Sequence, residues 1–76
     1  NPASLIAATL SNRGHRTQRA QARILQVSEQ AWSRYVRGEK DPQISTILRW
    51  LRAADSAGYP MSLTLRGTLG DQMWIA

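Results

Sequence analysis

The side chains best suited to recognise another molecule are concentrated in residues 28–40. Glu29, Gln30, Ser33 and Arg34 recur there at spacings that place them on one side of a helix. Glutamine suits adenine, arginine suits guanine and glutamate accepts a hydrogen bond from cytosine in the major groove of DNA. The segment therefore predicts direct readout of base edges in duplex DNA.

Phosphate contacts are expected on either side of this base-reading face. Arg37 and Lys40 follow it along the chain, whereas Thr17 and Gln18 open an earlier helix whose positive end attracts a phosphate. Together with the N-cap of the base-reading helix, nine residues are predicted to contact DNA: Thr17, Gln18, Ser28, Glu29, Gln30, Ser33, Arg34, Arg37 and Lys40.

The charge distribution also favours a polyanionic partner. The formal net charge is +5, and residues 13–40 hold seven basic and two acidic side chains, whereas residues 41–76 hold three of each. The whole excess thus lies in one 28-residue segment. Such a local excess favours nucleic acid first and an acidic membrane surface second, and a basic surface that only promotes solubility stays open as the alternative.

Other classes of site lack the residues that they need. The chain has no cysteine and a single histidine, His15, so we expect no disulfide, no metal site and no cofactor. No paired carboxylates share a helix face and no glycine-rich phosphate loop is present, so we expect no catalytic residues and no enzymatic activity. No apolar run approaches the roughly 20 residues of a membrane span, and we see no signal peptide. His15 itself is expected to be a solvated loop residue.

Four helices are expected to position these residues, at about 3–12, 18–26, 28–37 and 43–57. Thr17 and Ser28 are good N-caps, and glycines follow the ends of three helices. The turn between the second and third helices is very short, which predicts a helix-turn-helix whose second helix enters the major groove. Trp32 and Tyr35 recur with the apolar stripe of the third helix, so core packing is favoured over stacking on bases. Trp50 lies beside the stripe of the fourth helix, where a core or dimer contact is favoured over contact with a ligand.

The chain after Gly58 changes to the alternating period of a β-strand. Apolar and polar residues alternate over 61–66, turn residues follow, and 72–75 is expected to be a second short strand. A strand or hairpin on so small a domain has open edges that a second copy can close. We therefore expect a DNA-binding domain over 1–58, a dimerisation extension over 59–76, and dimer contacts from Met61, Leu63, Leu65 and Trp74.

One pattern of cap, apolar and glycine positions spans the second and third helices. It reads Thr17-Gln18-x-x-x-Ala22-x-x-Leu25-x-Val27-Ser28-x-x-x-Trp32-Ser33-x-Tyr35-x-x-Gly38-x-x-x-Pro42. This pattern resembles the Cro/C1-repressor (Xre) class of helix-turn-helix proteins, and the resemblance covers about residues 3–57. It implies a mainly α, lambda-repressor-like domain of four to five helices that binds a palindromic operator as a homodimer. It also implies a transcription regulator, most often a repressor, in the cytoplasm and nucleoid of a prokaryote or its phage.

The segment Gly58-Tyr59-Pro60-Met61-Ser62-Leu63-Thr64-Leu65 is similar to Xre-type antitoxins of kinase toxin–antitoxin pairs. In those proteins a strand after the last helix pairs across the dimer. The resemblance leaves a second function open: an antitoxin whose main role is to bind a partner toxin, with DNA binding for autoregulation.

The chain departs from the Xre pattern at three positions. Gln21 stands where the family usually has a core leucine, and a slight helix rotation towards Ala20 and Ile24 is the expected compensation. Gln26 stands where glycine is common, which costs up to about 1 kcal/mol if its φ is positive. Val36 replaces a frequent acidic residue. These departures predict that the angle between the second and third helices differs from the family norm.

Overall fold

The computed structural model describes residues 1–66 and 72–75, with side chains described for residues 1–62. In chain order its elements are α1 (Pro2–Asn12), α2 (Gln18–Leu25), α3 (Glu29–Val36), α4 (Ile44–Ser56), β1 (Leu63–Arg66) and β2 (Gln72–Ile75). The protein is mainly α, and each helix begins and ends within one residue of its predicted bounds. No helix in the described residues is long and apolar enough to cross a membrane.

Side-chain caps fix where the first three helices begin. The Oδ1 of Asn1 accepts from the backbone N–H of Ala3, and the hydroxyls of Thr17 and Ser28 accept from the third residue of the helix that each precedes. Each cap satisfies an N–H group that has no partner inside its own helix. The predicted N-caps at Thr17 and Ser28 are confirmed.

The turn between α2 and α3 depends on one residue in the left-handed region. Gln26 has φ 57° and ψ 44°, and it is the sole non-glycine residue with positive φ in the described part of the chain. The next N–H group, from Val27, returns to the carbonyl of Ala22 over 3.0 Å. Three residues, 26–28, separate the end of α2 at Leu25 from the start of α3 at Glu29, which is a connection as short as a helix-turn-helix requires.

The core lies between α4 and the inner faces of the other three helices. The ring of Trp50 meets the rings of Trp32 and Tyr35 edge to face, with centroids 5.1 Å and 4.9 Å away. All three aromatic residues are buried, which confirms the predicted core packing of Trp32 and Tyr35 and puts Trp50 in the core, the first of its two predicted contacts. The other buried apolar residues are Ala3, Ile6, Leu10, Ala22, Leu25, Ile47, Leu51 and Ala54.

His15 is not the solvated loop residue that was expected. Its Nε2 lies 2.6 Å from the hydroxyl of Tyr59, and it is half-buried. Tyr59 and Met61 also pack against the core, so the chain after α4 is held to the body of the domain before β1 begins. The expectation was wrong because the partner of His15 is 44 residues away in the sequence.

The backbone of β1 runs antiparallel to that of β2, with Leu63 opposite Ile75 and Arg66 opposite Gln72. The turn predicted at 67–71 lies outside the described residues. So do the side chains of Leu63, Leu65 and Trp74, three of the four residues predicted to form dimer contacts. The fourth, Met61, packs partly buried against the core of its own protomer, and its dimer contact stays a prediction. The turn that would join the two strands into a hairpin, and the part of that hairpin in dimerisation, therefore stay predictions.

Candidate nucleic-acid interface

Helix α3 has one face in the core and the other in solvent. Trp32 and Tyr35 are buried, whereas Glu29, Gln30 and Arg34 are exposed. The division follows the helical period, because residues three and four apart share a face. The polar face predicted from the sequence therefore lies open to a ligand.

Six of the nine predicted DNA contacts line one surface groove. The groove runs between the start of α2 and the outward face of α3. Its lining residues are Gln18, Glu29, Gln30, Ser33, Arg34 and Arg37. Residues from two helices thus meet at one surface, although Gln18 is eleven positions from Glu29 in the chain.

The other three predicted contacts lie at helix ends. Thr17 and Ser28 use a hydroxyl lone pair to cap α2 and α3, at 3.1 Å from the N–H groups of Ala20 and Ala31. Each hydroxyl keeps its own O–H as a donor for a phosphate oxygen. Lys40 lies beyond the end of α3, with its Nζ 5.3 Å from the centroid of the Tyr35 ring. That cation–π contact keeps its charge close to α3.

Two exposed ion pairs engage predicted DNA contacts. The Nε of Arg19 lies 3.5 Å from a carboxylate oxygen of Glu29, and the Nε of Arg37 donates to Glu39 over 2.9 Å. The side chains of Arg19 and Glu29 are 80% and 53% exposed. Exposed pairs of this kind contribute about 0–1 kcal/mol, so phosphates can compete for both arginines.

Gln30 and Arg34 have no hydrogen bond or ion pair to any side chain within residues 1–62. Their amide and guanidinium groups are the types that make paired hydrogen bonds to adenine and guanine. Because no hydrogen bond or ion pair in that range must be broken first, both groups are available to a ligand in the groove.

Two residues that support α3 were not predicted to do so. Gln21, expected to be displaced from the core by helix rotation, is instead buried at 4% exposure, and its Oε1 accepts from the indole N–H of Trp32 over 2.9 Å. Asn1 donates from Nδ2 to the carbonyls of Tyr35 and Val36, at 3.0 Å and 3.2 Å. The available signal for Gln21 was a polar residue at a core position, in a chain whose tryptophans need a partner for their N–H groups.

The interface thus combines an exposed helix face, capped helix ends and surrounding arginines. Comparison with known proteins found no matching family model, no similar curated protein and no similar solved structure.

Proposed function

We propose that the chain is a sequence-specific, double-stranded DNA-binding transcription regulator that acts as a repressor and binds a palindromic operator as a homodimer. The observation that carries the proposal is the groove between α2 and α3. It brings Gln18 beside the exposed face of α3, and Gln30 and Arg34 have no competing side-chain partner within residues 1–62. The local charge excess supplies the attraction to phosphate.

In this proposal α3 lies in the major groove. An α-helix with its side chains is about 10–12 Å in diameter, which fits the width of about 12 Å of the major groove of DNA, and the eight residues of α3 make it about 12 Å long. Gln30 pairs with adenine, Arg34 with guanine, and Glu29 accepts from the amino group of a cytosine. Ser33 donates to a base or a phosphate from the same face.

Phosphate contacts then fix the register of α3 on the duplex. The N-terminal ends of α2 and α3 direct free N–H groups outward beside Thr17, Gln18 and Ser28. Arg37 and Lys40 contact the backbone beyond the other end of α3. These contacts carry little sequence information, so their loss weakens all DNA binding alike.

Dimerisation is assigned to the chain after α4. Met61 packs on the core of its own protomer and leads into β1. We propose that Met61, which is only partly buried, contacts a second copy together with Leu63, Leu65 and Trp74. Two α3 helices then lie in successive major grooves, with half-site centres about 34 Å apart.

A second candidate function is an antitoxin that binds a partner toxin and regulates its own operator. The observation that favours it is the two-stranded sheet, in which β1 and β2 each pair with one neighbour in the described backbone. An open strand edge can take a strand from another protein as readily as from a second copy.

The test is selection from a random duplex library at about 0.15 M salt, where weak charge-only binding is largely screened. Wild type is compared with Arg34→Ala and with Arg52→Ala, which removes an exposed arginine from α4. We expect one palindromic motif from wild type and from Arg52→Ala, and a motif degenerate at one position of each half-site from Arg34→Ala. No enriched motif from wild type would refute the proposal.

A further inference from the structure

A buried hydrogen bond joins α2 to α3 through two side chains. The indole N–H of Trp32 donates to Oε1 of Gln21 over 2.9 Å. Trp32 is fully buried and Gln21 is 4% exposed. If the indole turned away from Gln21, its buried N–H would lose this acceptor and could not bond to water instead. The cost of that unsatisfied group restricts the indole to one orientation.

Gln21 is in turn held by backbone outside α3. Its Nε2 donates to the carbonyl of His15 over 2.9 Å and, more weakly, to that of Ala7 over 3.4 Å. Both the amide nitrogen and the amide oxygen are thus engaged. The side chain of Gln21 connects α1, the loop before α2, and α3. In residues 1–62 no buried side-chain nitrogen or oxygen lacks a partner, so the network is complete.

Trp32 lies between the residues proposed to contact bases. Ser33 and Arg34 follow it directly, and Gln30 precedes it by two positions. Its ring also meets Trp50 edge to face at 5.1 Å, so the indole is fixed both at its N–H edge and at a second contact. Because the ring is held at two contacts, it restrains the backbone of Trp32 and with it the neighbouring positions of α3.

Small rotations of α3 matter for base contacts. A rotation of about 10° about the helix axis moves a side-chain tip by about 1 Å, because the helix radius with side chains is about 5 Å. Base-edge hydrogen bonds span about 2.7–3.2 Å and weaken steeply as their angle closes. The orientation of α3 therefore decides which base edges its side chains can reach.

We infer that Gln21 is a positioning residue: through Trp32 it sets the orientation of α3 and thereby the DNA sequence that Gln30 and Arg34 recognise. The inference rests on the proposed DNA-binding function and adds a determinant of its specificity that does not touch DNA. An apolar residue at position 21 would leave the indole N–H without its acceptor, and α3 would repack.

A double substitution separates an effect on the orientation of α3 from an effect on the stability of the fold. Gln21→Leu removes the amide, Trp32→Phe removes the N–H but keeps an aromatic ring, and the double variant removes both partners. Replacing both partners avoids leaving a single buried hydrogen-bonding group unsatisfied, so the remaining cost of the double variant is the cavity left by the smaller phenylalanine ring. Gln43→Leu, at an exposed glutamine without a capping hydrogen bond, is the control for an added leucine.

Melting temperature, the selected DNA motif, and the ratio of Kd values for scrambled and preferred duplexes are measured for each protein. We expect the double variant to be folded, with a salt dependence like that of wild type, because the phosphate contacts are unchanged. We expect its Kd ratio for the wild-type motif to fall by about tenfold or more, as for loss of a base contact. A double variant that selects the wild-type motif with the wild-type ratio overturns the inference.

If the proposed DNA-binding function is wrong, wild type itself shows no sequence preference, which differs from the result that overturns the inference. If wild type shows no sequence preference, the orientation of α3 relative to α1 is measured by residual dipolar couplings in wild type and the double variant. A rotation of about 10° or more supports the role of Gln21, whereas an unchanged orientation overturns it. If the double variant does not fold, Trp32→Phe alone is carried through the same comparison, with the same two outcomes.

Discussion

The Nε2 of His15 and the hydroxyl of Tyr59 lie 2.6 Å apart, and their rings meet edge to face with centroids at 4.8 Å. The contact joins the loop before α2 to the segment after α4. The backbone carbonyl of His15 also accepts from Gln21, so one residue links the C-terminal segment to the support of α3.

The first prediction concerns this contact. We expect Tyr59→Phe to lower the free energy of unfolding by about 1 kcal/mol, because it removes the hydroxyl and leaves the ring packing in place. Tyr59→Ala is expected to cost more, since the edge-to-face contact is lost as well. Urea denaturation at constant m-value measures both. Equal midpoints for Tyr59→Phe and wild type would show that the hydrogen bond contributes nothing to stability.

The second prediction concerns the left-handed turn. Gln26 is exposed at φ 57°, so Gln26→Gly is expected to stabilise the fold by up to about 1 kcal/mol, because glycine has no steric penalty there. Gln26→Ala is the matched control, since it removes the side chain but keeps the Cβ. Thermal unfolding of the three proteins decides the outcome. A gain shared by the alanine variant would assign the effect to the glutamine side chain instead of to φ.

The third prediction separates the two roles of the Asn1 side chain. Asn1→Ser keeps an oxygen that can cap α1 but loses the donor to the carbonyls of Tyr35 and Val36. We expect it to lower stability by about 1 kcal/mol. Asn1→Ala loses both roles. We expect it to lower the free energy of unfolding by about 2 kcal/mol, because the lost N-cap adds about 1 kcal/mol to the loss of the donor. Chemical denaturation of both variants measures the difference. If serine and alanine cost the same, the cap of α1 adds nothing.

The fourth prediction concerns the ion pair between Arg19 and Glu29. Glu29→Gln removes a negative charge from the groove and frees Arg19 for a phosphate, so nonspecific DNA affinity should rise. The slope of log K against log salt should steepen by about one unit. Asp55→Asn removes an equal charge from the exposed face of α4 and is the control. Salt titrations that give the same slope for Glu29→Gln and Asp55→Asn would place Arg19 away from phosphate.

Local sequence patterns predicted most of the fold. Thr17 and Ser28 mark the starts of α2 and α3 because an N-cap acts within three residues of its own position. The outward face of α3 followed from the helical period, and it contains Gln30 and Arg34 as expected. The position of Gln26, where the resembled family commonly has glycine, pointed to a residue that is costly if its φ is positive, and its φ is 57°.

Tertiary packing alone decided what supports that face. The partners of Gln21, Asn1 and His15 lie 11, 34 and 44 residues away in the sequence. The type of a residue indicates that it needs a hydrogen-bond partner when it is buried. It does not indicate which helix supplies that partner. That choice depends on how α1, α2 and α3 pack around Trp32. The sequence by itself determined the helices and the polar face of α3, whereas the packed core decided the direction in which that face points.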